Sequence, residues 1–210
     1  MRYVSVLLGA CLCLALTACA PEPVDLATSD AGPTQPQVAD PVPVHPVDAL
    51  EVDGSYLETH PAPYSWAGEH TLIAHGFGGL GELRVTNCYE AFDANYRAGH
   101  RIFEVDLVFT SDGALVARHD WEEYMYSFLG QTVDDPAHVM SLDEFEALPI
   151  HGTNTPMTIE DVAQLMRAYP DIWIVTDTKS AAQADVSAAM QAIVDAVGED
   201  EVLLERFIIQ

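Results

Sequence analysis

Basic side chains are nearly missing from this chain. Of 210 residues only 8 are Lys or Arg, against 33 Asp or Glu, for a formal net charge of -25. A surface of that sign repels phosphate backbones and anionic headgroups, which excludes a nucleic-acid role and binding to anionic lipid by charge. Most of these acids read as a solvated face, and the excess favours cations. Lysine is reduced to one residue, Lys179, so the place of that single ammonium matters.

Cysteine is almost as scarce. Three of the four, Cys11, Cys13 and Cys19, fall in the first 19 residues, leaving Cys88 alone in the rest. A lone thiol builds neither a disulfide framework nor a cysteine metal site within one chain. Cys88 reads as a small buried hydrophobe. Long apolar runs are also absent. Val4 to Leu16 follows the charged Arg2 and is too short for a membrane span, which is the pattern of an export signal over residues 1–19. Leu16-Thr17-Ala18-Cys19 resembles the lipobox of bacterial lipoproteins. That resemblance implies cleavage before Cys19, acylation of Cys19, and an exported domain anchored by lipid to the bacterial membrane. Ala20 stands where an Asp would signal retention at the inner membrane.

Residues 20–62 are rich in Pro and poor in periodicity, and they read as a semi-rigid tether. The folded part is expected over residues 63–210. Thr71 to His75 reads as a strand running into the flexible Gly76-Phe77-Gly78-Gly79-Leu80-Gly81. Thr86-Asn87 is placed to cap a helix from about Cys88 to Ala98, stopped by Gly99. Residues 101–120 read as strand, turn and strand, with Ser111-Asp112-Gly113 as the turn. Residues 121–140 read as an aromatic and acidic loop. Ser141 and Thr158 open helices by the capping-box pattern. Ile172 to Val175 predicts a strand, residues 181–197 an alanine-rich helix stopped by Gly198, and Arg206 to Gln210 a last strand. Strands alternating with helices predict an α/β fold with a mostly parallel sheet, whose site lies at the carboxyl ends of the strands.

Glu104 and Asp106 interrupt an apolar strand and, two apart, share one face. Two like charges side by side are costly unless something positive lies between them. His75, His119 and Asp177 fall at or just past other strand ends. Three carboxylates without sulfur suit a hard cation such as Ca²⁺ or Mg²⁺. Two imidazoles at strand ends suit paired general acid–base proton transfers. Other readings of single residues stay open: Asp177 as a cap for the alanine-rich helix, Asn87 as a cap rather than a site residue. His45, His60, His70, His100, His138 and His151 are taken as surface or loop residues.

Together, Ile73-Ala74-His75-Gly76, Thr86-Asn87, Glu104-Val105-Asp106, Thr110 to Gly113, His119-Asp120 and Asp177-Thr178-Lys179 resemble, in order and spacing, the glycerophosphodiester phosphodiesterase family of phosphatidylinositol phospholipase C-like phosphodiesterases. The resemblance covers roughly residues 70–210. It implies a (β/α)8 TIM barrel with one divalent cation, Ca²⁺ or Mg²⁺, acting on glycerophosphodiesters or related phospholipid head groups. By position it implies Glu104, Asp106 and Asp177 as metal ligands, His75 and His119 as general acid and base, and Lys179 and Asn87 beside the phosphate. Two positions depart from the family: Gly76 replaces the usual Arg after the first His, so that one phosphate contact is either missing or supplied by another group such as Arg84, and Asp177 replaces the usual Glu. A barrel of this type needs about 250 residues, so residues 63–210 are expected to supply about five strands, as a fragment of a longer protein. A phospholipase D-like enzyme of the same superfamily, sphingomyelinase D-type, and a non-catalytic barrel binding cations or ligands are the alternatives.

Overall fold

A computed structural model describes residues 44–54, 70 and 72–210. The expected export signal, Cys19 and most of the expected tether lie outside the described residues.

The elements run β1 (Ile73–Ala74), a 3-10 turn (His75–Phe77), α1 (Tyr89–Arg97), β2 (Ile102–Phe109), β3 (Leu115–Ala117), α2 (Glu123–Phe128), α3 (Leu142–Ala147), α4 (Ile159–Ala168), β4 (Trp173–Thr178), α5 (Gln183–Val197), α6 (Glu201–Leu204) and β5 (Phe207–Ile209). Four strands form a parallel sheet in the order β1-β2-β4-β5, the α/β arrangement of an incomplete (β/α)8 barrel. The fifth, β3, turns back antiparallel on the far end of β2, pairing Leu107 with Ala117 and Phe109 with Leu115. Gly113, at φ +90°, permits that turn, and the Thr110 hydroxyl donates to Asp112 Oδ1 across it.

Alternation along β2 separates two faces. Phe103, Val105 and Leu107 point to the main core with Phe92, Val162, Leu165, Ile174 and Ile193 of the flanking elements. Ile102 points the other way, to Trp173 and Val175, with Ile208 packed against them. Glu104 and Asp106 continue this second face towards the strand end. Phe92 is fully buried, with Phe103, Tyr169 and Phe77 ring centroids 5.0, 5.1 and 5.9 Å away. Burying a side chain of that size contributes about 1.5–3 kcal/mol.

Both capping boxes form. Ser141 pairs with Glu144, and Thr158 with Asp161. Gly198, at φ +68°, ends α5. Four expectations need correction. Thr86 and Asn87 do not cap α1; Cys88 is its N-cap residue, with no side-chain cap bond, because the Asn87 amide is engaged elsewhere. The 121–140 segment is not all loop: α2 begins after the Glu122 N–H is taken by Asp120 Oδ1. The glycine-rich stretch after His75 is not slack throughout: Gly76 and Phe77 are buried, whereas Gly79 and Gly81 are exposed. Within the expected tether, residues 46–49 form a 3-10 turn that buries Val47 in the main core, and the His45 ring bonds the Pro156 carbonyl at 3.2 Å. Among the described residues no helix is long and apolar enough to cross a membrane.

Candidate active site

Register assembles the carboxylates. Parallel pairing sets Asp106 of β2 beside Asp177 of β4, and Ala74 of β1 beside Phe103, so His75 arrives level with Glu104. Glu104, Asp106 and Asp177 each offer an oxygen within 4.8 Å of the others. β4 runs through Asp177, two residues beyond the expected strand. Asp177 does not cap α5, whose N-cap residue is Ala182.

Each carboxylate has its own support. Glu104 Oε2 accepts from the Gly76 N–H at 2.7 Å and contacts His75 Nδ1 at 2.5 Å. Burial is the main influence on Glu104 and lifts its carboxyl above the usual range; the Gly76 N–H and His75 offset this only in part. Its Oε1 is buried without a hydrogen-bond partner. Asp106 is fully buried and held by Asn87 at two points: the amide Nδ2 donates to Oδ2 at 2.8 Å, and Oδ1 accepts the Asp106 N–H at 3.1 Å. The sole lysine bridges the cluster, with Lys179 Nζ 2.5 Å from Asp106 Oδ1 and 2.5 Å from Asp177 Oδ2. Burial works against its charge, but the two carboxylates outweigh it and hold the ammonium above its usual range.

Gly76 supports Glu104 through its backbone N–H, and a larger residue is excluded from its position: it sits at φ +57°, where an added Cβ would lie 2.6 Å from Val85 Cα. Arg84, the expected substitute, is exposed.

His119 arrives by a different route. It lies past β3, which runs back towards the carboxylates, and the Arg118 N–H before it donates to the Asp106 carbonyl at 2.9 Å. Its Nδ1 contacts Asp120 Oδ2 at 2.6 Å. Tyr124 donates to the same oxygen, which pushes its hydroxyl up to about 12. Arg118 is buried between the Trp121 and Tyr126 rings, each centroid 4.6 Å from its guanidinium carbon. It donates to the Asp120 carbonyl and to Gln131, and burial lowers it to about 10. Sequence reasoning assigned nothing to Arg118, Asp120 or Tyr124. The His119-Asp120 dipeptide was visible, but adjacent residues on an extended chain point apart, so their contact was not.

The donor set fits a divalent cation. Three carboxylate oxygens converge, Glu104 Oε1 is a buried acceptor without a hydrogen-bond donor, and the lysine that bridges Asp106 and Asp177 supplies one positive charge against three acids. Oxygen-only donors suit Ca²⁺ or Mg²⁺.

Comparison with known proteins identifies the family of the chain. The sequence model described as the glycerophosphoryl diester phosphodiesterase family matches residues 78–204. No curated protein matches. Among solved structures, a Silicibacter pomeroyi chain assigned as a glycerophosphoryl diester phosphodiesterase superposes with TM-score 0.50 at 19% identity, over 65% of this chain and 55% of that one. A Parabacteroides distasonis glycerophosphoryl diester phosphodiesterase gives 0.47 at 21%, over 76% and 53%. An Oleispira antarctica phosphodiesterase, solved with the product sn-glycerol-3-phosphate, gives 0.49 at 17%, over 64% and 54%. The chain therefore spans a little over half the length of the structures it matches.

Proposed function

The chain belongs to the glycerophosphoryl diester phosphodiesterase family, and from that premise we propose that it contributes the reacting centre of a divalent-metal-dependent phosphodiester hydrolase. Its substrates are glycerophosphodiesters or related phospholipid head groups. The observation carrying this reading is the convergence of Glu104, Asp106 and Asp177 within 4.8 Å, with His75 on Glu104 and Lys179 across the two aspartates.

Glu104, Asp106 and Asp177 hold the cation, Ca²⁺ or Mg²⁺, which supplies positive charge to a non-bridging phosphate oxygen. Asn87 keeps Asp106 aimed, with its amide committed to that carboxylate. Lys179 has a stem long enough to turn from the aspartates to a phosphate oxygen as a point charge. His75 and His119 share the proton transfers. One takes the proton of the attacking hydroxyl, the neighbouring alcohol of the glycerol unit, as its oxygen bonds to phosphorus. The other gives a proton to the departing alkoxide as the P–O bond breaks. Water then opens the cyclic phosphate with the roles reversed. Each imidazole is anchored through Nδ1 on a carboxylate, which leaves Nε2 for these transfers.

The test is release of glycerol phosphate from glycerophosphodiesters by the full-length protein, with Ca²⁺ or Mg²⁺ and with chelator. Turnover is expected to vanish with chelator and to fall about 100-fold or more in His75→Ala. Turnover indifferent to chelator, full turnover in His75→Ala, or none on any glycerophosphodiester would overturn the reading.

A further inference from the structure

Asp120 directly follows His119, yet their side chains meet, at 2.6 Å between Nδ1 and Oδ2. A bend in the backbone is required for neighbours to do this, and Arg118 fixes it by donating from Nε to the Asp120 carbonyl at 2.6 Å. The carboxylate is then held from two further directions. Glu122 N–H donates to Oδ1 at 2.8 Å, and the Tyr124 hydroxyl, from the first turn of α2, donates to Oδ2. Tyr124 thus shares one oxygen with the His119 ring, and its own oxygen lies 3.4 Å from Nδ1. The Tyr124 side chain is otherwise largely in solvent, with 54% of the residue exposed.

We propose that Tyr124 is a positioning residue for the hydrolysis: its hydroxyl steadies Asp120, so that His119 is held in its Nδ1–H tautomer with Nε2 free, and takes up part of the carboxylate charge that would otherwise stabilise the protonated ring. This rests on the assignment of His119 as an acid–base group. A carboxylate oxygen that accepts two hydrogen bonds spreads its charge over both. Removing the tyrosine donor leaves that charge to His119 alone and raises the proton affinity of the ring. The hydroxyl remains a donor throughout the neutral range, because Asp120 holds its titration near 12. The charged groups around this pair are Asp120, Glu122 and the Arg118 guanidinium on the same segment, with Lys179 reaching Tyr124 electrostatically from beyond β4. None of them is altered by Tyr124→Phe, which deletes one oxygen from an exposed ring.

The experiment is ¹⁵N imidazole NMR of the full-length protein, with His119 assigned by its absence in His119→Gln, alongside pH–rate profiles. The neutral wild-type ring is expected as the Nδ1–H tautomer. Tyr124→Phe should raise the His119 midpoint by about 0.5–1 pH unit and carry one limb of the rate profile with it, leaving the other in place. Asp120→Asn should lower the midpoint by about 1 unit, through loss of the anion. A wild-type Nε2–H tautomer, or a Tyr124→Phe midpoint that falls or moves less than about 0.2 units, would overturn the role of Tyr124 while turnover persisted. A shifted midpoint in a protein without turnover would instead overturn the hydrolase reading, and the positioning role with it.

Discussion

Asn87→Ala should be among the most damaging single changes on this chain outside the core, and its cost can be worked from four observations. Asn87 and Asp106 are both fully buried. The Asn87 amide donates to Asp106 Oδ2 at 2.8 Å and accepts the Asp106 N–H at 3.1 Å. Asn87 also sits at φ +53°, a conformation that asparagine tolerates better than alanine. Truncation therefore strips one hydrogen bond from a buried carboxylate, about 1.5–3 kcal/mol, and orphans a buried N–H, about 1–2 kcal/mol. The left-handed backbone adds about 1 kcal/mol for alanine. The sum is about 3.5–6 kcal/mol, a large share of the ~5–15 kcal/mol that holds a typical protein folded. Asn87→Gly keeps the hydrogen-bond loss and relieves the backbone, so it should lie about 1 kcal/mol above Asn87→Ala. Urea denaturation in chelator measures both. Loss of less than about 1 kcal/mol in both variants would mean that Asn87 does not hold Asp106 and that the second-face geometry is misread. The glycine variant no better than the alanine one would remove the backbone part alone.

Two further predictions follow from the same cluster. Restoring an arginine after the first histidine, Gly76→Arg, should destabilise the protein by about 1–3 kcal/mol rather than add a phosphate contact, since its Cβ meets Val85 Cα at 2.6 Å; an undiminished urea midpoint with improved KM would contradict this. Glu104, whose folded carboxyl is held high by burial, favours the fold when protonated: that contribution is complete below the unfolded carboxylate range and is lost as pH rises through the folded value. In chelator, Glu104→Gln should therefore match wild type in acid and melt higher near neutrality, while its Ca²⁺ affinity by calorimetry falls about tenfold or more; a lower melting temperature than wild type at neutral pH would refute the sign.

Most of the fold was legible because its signals were local. The β2 alternation, the Ser111-Asp112-Gly113 turn, the Ser141 and Thr158 capping boxes and the Gly198 stop each lie within a few residues, and each forms. The three acids were legible as a set, because period two puts Glu104 and Asp106 on one face and strand order brings Asp177 beside them. What escaped was non-local or conformational. Asn87 carries the composition of a cap, and only the tertiary position of Asp106 draws its amide away from α1. Gly76 reads as slack, although a close approach to Val85 requires the residue to lack a side chain. Val47 sits in a proline-rich stretch that carries no periodicity, so nothing in its neighbours foretold burial.

The two histidines owe their positions to different parts of the architecture, and this bears on how the site can vary. His75 is delivered by the parallel sheet itself: its height is fixed by the β1–β2 register and its ring by Glu104, a carboxylate of the acidic cluster. A change at His75 is therefore expected to disturb the cluster as well as the proposed proton transfer. His119 is delivered by the β2–β3 hairpin and braced by Arg118, Asp120 and Tyr124, none of which belongs to the metal cluster. Substitutions in that brace act on one imidazole from outside the acidic cluster, to which the hairpin is joined by the β2–β3 pairing, the Arg118 N–H on the Asp106 carbonyl and the charge of Lys179 near Tyr124. Hairpin and loop thus carry one half of the proposed acid–base pair, and the parallel sheet carries the other.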